Sequence, residues 1–130
     1  MRVVLERTAA ELAARHAVGA EIDNLHALNT EIAGSLANPS KAAAINAQFH
    51  RTLYHAARNR FLLEAARGLT NALLLLGPTT LADEDRIGVV VRQHQAIIDA
   101  IEARNEETAG AAAEAHLQTS LRHRLSILRT

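Results

Sequence analysis

Residues 46–50 read Asn-Ala-Gln-Phe-His, which places an amide and an imidazole at positions i and i+4. On an α-helix that spacing sets two side chains one above the other on a single face. An amide oxygen and a ring nitrogen so placed can hold one ion between them. Ile45, Phe49 and Leu53 form an apolar stripe beside the pair, so Asn46 and His50 can face a helical interior. Two further histidines share a level. His94 stands 11 residues before Asn105, and His116 stands 11 residues after it. With Asn105 at the turn of a helical hairpin, each ring lies ~16 Å from the turn at ~1.5 Å per residue. His94 is centred in the stripe Ile87, Val91, Ile98, Ile101, and His116 is flanked by Ala112, Ala113 and Leu117. One histidine on an apolar face is ordinarily a core residue with a satisfied hydrogen bond. Two at one level both need partners, because a buried polar group without one costs kilocalories. A shared metal ion serves both. Asn46, His50, His94 and His116 together offer three imidazole nitrogens and one amide oxygen from three helices. That donor set suits zinc, nickel or a similar divalent transition metal rather than calcium, and leaves one or two coordination positions open.

The composition narrows the classes. The chain has 130 residues, no cysteine, 14 basic and 14 acidic residues, and seven histidines. This length suits one domain, residues 1–130, with a core that needs no disulfide. The absence of cysteine excludes thiolate metal sites and fits a cytoplasmic protein. A balanced charge argues against a free-standing nucleic-acid binder. The opening stretch MRVVLERTAAELAARH is charged and amphipathic, unlike a secretory leader. The run ALLLLG near residue 75 is far short of the ~20 residues needed for a membrane span.

Positioning the four ligand candidates falls to helices, since almost every segment repeats at helical period. The pattern predicts an all-α antiparallel bundle of about six helices with short connections. The first spans about 3–17, with Leu5, Ala9, Leu12 and His16 on one face and Gly19 as its terminator. The second spans about 20–36, with Ile22, Leu25, Ile32 and Leu36 inward. Asn38 and Pro39 open the third, as N-cap and first helical residue, and it breaks near Arg58. Asn59 caps the fourth, which carries Leu62, Ala66, Leu69, Leu73 and Leu76 with Leu63, Leu74 and Leu75 on other sides, until Gly77 and Pro78 stop it. A helix apolar on several faces is central or sits at a subunit interface, which predicts a homodimer. Acidic residues in TTLADED cap the fifth, about 85–104, and Asn105 caps the sixth, about 106–128.

Three stretches together resemble the FCD domain, the effector-binding and dimerisation domain that follows a winged helix-turn-helix in the FadR subfamily of GntR transcription regulators. They are LERTAAELAARHA, NAQFHRTLYHAARN and QHQAIIDAIEARNEETAGAAAEAHL. The resemblance implies a bundle of six or seven helices and a divalent metal held by one Asp and three His. It also implies a small organic acid bound at that metal, altering how the dimer sits on DNA. Carried over by position, the ligands are Asn46, His50, His94 and His116. Asn46 departs from the commoner Asp, so the ion has less compensating charge, weaker binding and a stronger pull on an anionic effector. No winged helix-turn-helix lies in these residues, so DNA contact is expected only through a domain outside them, the chain being a piece of a longer regulator. Arg51, Arg92 and Arg122 are candidates for gripping the effector carboxylate, since guanidinium offers a bidentate fork, and His26 is a candidate to reach the cavity. Solvated surface positions are the ordinary reading for these four, as for His16, His55 and His123. The alternative to a sensor is a metal-dependent hydrolase-like enzyme, in which a three-histidine metal activates water. The sequence places no carboxylate beside the ligands as a general base.

Overall fold

The computed structural model describes residues 2–74, 81 and 83–129. Among them are six helices, α1 (Arg2–His16), α2 (Gly19–Ala33), α3 (Pro39–Ala56), α4 (Arg60–Leu74), α5 (Glu84–Glu102) and α6 (Glu106–Arg129). The expected starts of α3 to α6 are all built by side-chain caps. Asn38 Oδ1 accepts from Lys41 N at 3.2 Å, Asn59 Oδ1 from Leu62 N at 3.1 Å, Asp83 Oδ1 from Arg86 N at 2.8 Å and Asn105 Oδ1 from Thr108 N at 3.1 Å. Each satisfies a backbone donor that a helix start leaves open. The tail of the apolar run, Leu75 and Leu76 with Gly77 and Pro78, lies outside the described residues.

Two hairpins and two added helices, α1 and α4, make the bundle. α2 folds back on α3, α5 folds back on α6, α2 packs on α5, and α1 lies along α6 while also touching α3, α4 and α5. α1 and α6 run antiparallel, since Arg7 pairs with Glu114 and Arg15 with Glu106 at 2.8 Å. Their approach is close because small residues line it. Ala9, Ala10, Ala13 and Ala14 of α1 and Ala109 and Ala113 of α6 are fully buried. A methyl added to Gly110 would meet Glu11 Cγ at 2.7 Å. This seam corrects the expected face of α1. The buried stripe is Glu6, Ala9/Ala10, Ala13/Ala14 and Ala17, whereas Leu5 and Leu12 are half-buried and His16 is exposed. Small side chains win the inward positions because bulkier ones would hold α6 away.

Two other expectations change at helix ends. Gly19 opens α2 instead of closing α1, the break falling at Ala17 and Val18. Val18 has extended backbone, and its N–H is capped by Glu21 Oε1 at 3.0 Å. α2 stops at Ala33, so Leu36 is exposed and Ser35 is buried in its place. Left-handed residues follow α3 and α5, but both are arginines, Arg58 (φ 58°) and Arg104 (φ 57°). A side chain in that conformation costs about 1 kcal/mol or more, and each guanidinium makes contacts that offset it. Arg58 forks onto Glu21 at 2.7 and 2.8 Å. Arg104 donates to Ala17 O at 2.6 Å and to Ala14 O at 3.3 Å, closing the end of α1. Both therefore brace the junction between α1 and α2.

Candidate metal centre

The middle of the bundle is polar. α3 contributes His50, α5 contributes His94 and α6 contributes His116, all three buried. One ring nitrogen from each lies within 4.8 Å of the other two. The level pairing on the α5–α6 hairpin is present, with the His94 and His116 ring centroids 4.8 Å apart and their planes at 77°. His50 lies 5.3 Å from His94 and 5.5 Å from His116, centroid to centroid. Phe49, one residue before His50, stacks flat on His94 at 3.8 Å and fixes its plane.

Each ring is held by an oxygen on its Nδ1. His50 Nδ1 meets Glu6 Oε1 of α1. His94 Nδ1 donates to Asn29 Oδ1 of α2 at 3.2 Å, and Asn29 is itself oriented by donating to Val91 O at 3.0 Å. His116 Nδ1 donates to Gln93 Oε1 at 2.7 Å. An oxygen acceptor at Nδ1 requires the proton there, so the Nε2 lone pair is the one left over in each ring. Among the described residues, His94 Nε2, Asn46 Oδ1 and His123 Nε2 are buried and have no hydrogen-bond partner. Such orphans are rare in folded proteins and call for an explanation. A cation among the three rings would accept the His94 Nε2 lone pair, so the three histidines fit a bound divalent metal.

The electrostatics favour neutral imidazoles at His94 and His116. Burial, followed by the neighbouring His50 and His116 rings, drives His94 well below the ordinary imidazole range. Burial, then His50, pushes His116 down to about 3. Glu6 is the buried acid of the cluster. Its burial works to raise its pKa, but the His50 ring and the hydrogen bonds from His50 and Tyr54 outweigh that and hold it below the usual carboxylate range. Tyr54 O–H donates to Glu6 Oε2 at 2.6 Å, and its own pKa is raised by burial and by the Glu6 charge.

The secondary candidates lie apart from this cluster. Arg51, Arg92 and Arg122 are exposed. Successive helical residues diverge by about 100°, so Arg51 turns away when His50 turns in. His26 does not reach the centre; it pairs with the Glu102 carboxylate at the surface. The cations that act on His116 are instead Arg86 and Arg2. Arg86 is buried in the first turn of α5 and lies 3.5 Å from Ser120 Oγ. Sequence reading also missed Glu6, Asn29 and Gln93. A signal existed for Glu6, a carboxylate three and four residues before Ala9 and Ala10 on the alanine face of α1.

Comparison with known proteins places this bundle. The chain belongs to the FCD domain family, whose model matches residues 1–119. The solved structure of E. coli McbR/YncC has the same fold, with a TM-score of 0.77 at 18% identity over 98% of this chain and 64% of that one. This chain therefore spans less than two thirds of that protein's length. No curated protein matches the sequence. FCD membership makes the chain an effector-binding domain of the kind transcription regulators carry, not an enzyme, which sets the hydrolase alternative aside. Among the described residues no helix is long and apolar enough to cross a membrane.

Proposed function

We propose that this domain is the sensing module of a cytoplasmic, homodimeric transcription regulator of the GntR type, FadR subfamily. It holds a divalent transition metal, zinc or nickel, and responds to a small organic acid. His50, His94 and His116 would hold the ion through Nε2, and Asn46 through Oδ1. The observation that carries this reading is the buried His94 Nε2, without a hydrogen-bond partner among the described residues, in a cluster of three histidines whose Nδ1 positions are all occupied by oxygens. The bound metal supplies a Lewis-acidic anchor for a carboxylate oxygen. The protein's own contribution is orientation. Asn29, Gln93 and Glu6 fix the ring tautomers, and Phe49 fixes the plane of His94. DNA contact would be made by a winged helix-turn-helix outside these residues.

A thermal-shift screen of organic acids on metal-loaded and chelator-stripped protein tests the reading. An acid that binds only the folded, loaded form adds about 2.7 kcal/mol at a hundredfold excess over Kd. For a domain of this size that raises Tm by several degrees. Equal shifts in loaded and stripped protein, or none, would refute the metal-anchored sensor.

A further inference from the structure

We propose that Glu6, which is not among the four ligand candidates, is the positioning residue for metal capture: through His50 it supplies the negative charge that Asn46 does not. The proposal rests on the metal reading above. Three imidazoles and an amide are all neutral, so a divalent ion in this set would bring its whole charge into the bundle centre, where an uncompensated charge is costly. The carboxylate of Glu6 is almost wholly buried, its side chain 1% exposed, on a helix face that is otherwise alanine. A lone carboxylate there would be costly as well. The two costs are each reduced if the two charges belong to one arrangement, the carboxylate offsetting half of the ion's charge.

The geometry fits an outer role. Glu6 Oε1 accepts a hydrogen bond from His50 Nδ1–H, and Oε2 accepts one from the Tyr54 hydroxyl at 2.6 Å. Both oxygens are used, so Glu6 stays one ring away from the ion. A carboxylate on the far nitrogen of a ligating histidine fixes its tautomer and makes its other nitrogen a stronger donor. His94 and His116 receive only neutral amide oxygens at the same position. His50 is therefore the strongest donor of the three, and α1 is tied to the ion through it.

Zinc titrations against a competing chelator, on wild type, Glu6→Gln, Asn46→Asp and the double variant, test this. Loss of such an outer partner weakens metal binding by about 10- to 100-fold. Glu6→Gln should show that loss in the wild-type background. In the Asn46→Asp background the loss should shrink to less than about threefold, because charge has returned to the ligand set itself, a non-additivity expected of groups sharing one site. Equal zinc affinity for wild type and Glu6→Gln overturns the proposal, since a purely structural Glu6 would lower only the stability of the metal-free fold. An equal loss in both backgrounds overturns it too. A wild-type protein that binds no zinc fails the metal reading, and this proposal with it. A nitrogen NMR spectrum of zinc-loaded wild type needs no variant. His50 should appear as the Nδ1–H tautomer with a slowly exchanging proton, and the opposite tautomer would overturn the assignment.

Discussion

The seam between α1 and α6 and the centre between α3, α5 and α6 are both buried, yet they are built on opposite principles. The seam uses alanines and a close approach at Gly110, with its ion pairs left at the partly exposed edges. Nothing there needs a ligand to be complete. The centre collects three histidines and a carboxylate, and it leaves His94 Nε2 without a hydrogen-bond partner among the described residues. A fold shaped by stability alone would fill that space with apolar side chains, since replacing buried polar groups by hydrophobic ones of like size is often neutral or stabilising. On the proposed reading, the seam serves packing and the centre serves binding.

Acid should separate the two regions most strongly. In metal-free protein His94 and His116 have depressed folded-state pKa values, so the unfolded chain binds more protons below the ordinary histidine value of 6.5. Their contribution is intact above that pH and is lost as pH falls toward about 3 for His116. The slope is up to about 1.4 kcal/mol per pH unit for each histidine. Glu6, lowered from 4.5, pulls the same way at the acid end. Denaturant unfolding of stripped protein between neutral pH and pH 4 should show this loss. A flat profile would mean that the histidines are not buried as neutral rings.

A smaller effect is expected from crowding the seam. Ala13→Leu adds bulk at a fully buried position and should cost about 1–3 kcal/mol in metal-free protein. Metal stoichiometry should not change in the fraction that folds. A variant that folds normally yet loses its metal would show that the two regions are not separate.

The smallest shift should have the opposite sign. Asn46→Leu removes a buried oxygen that has no partner, whose burial costs about 1–3 kcal/mol when fully unpaired. Because Asn46 is only partly buried, a gain of about 1 kcal/mol in metal-free stability is expected. The same variant should bind zinc more weakly. A stability loss on chemical denaturation would show that Asn46 serves the fold.

Much of the centre was legible because it obeys helical arithmetic. The caps Asn38, Asn59 and Asn105 fix where three helices begin, and Asn105, at the turn between α5 and α6, puts His94 and His116 at one level. The i, i+4 spacing of Asn46 and His50 needs only α3 to be helical. Glu6, Asn29 and Gln93 were harder, because each matters only through a pairing. Glu6 reaches a histidine 44 positions away and Asn29 one 65 away, and no local period records such contacts. The face of α1 was misjudged for a related reason. Leucines mark a stripe in sequence, but it was the closeness of α6 that decided which residues turned inward, and only small ones fit. Arg58 and Arg104 hid their role as left-handed terminators because glycine is the usual residue there, and their compensating contacts are again distant.

Metal content tests the central claim most directly. Wild-type protein and His94→Ala should be loaded with zinc, freed of excess ion and measured by elemental mass spectrometry, with circular dichroism confirming the helical fold of both. The account predicts about one ion per chain in the wild type and close to none in the variant, since three-ligand remnants of such sites bind far more weakly. Undiminished stoichiometric zinc in a folded His94→Ala would contradict it.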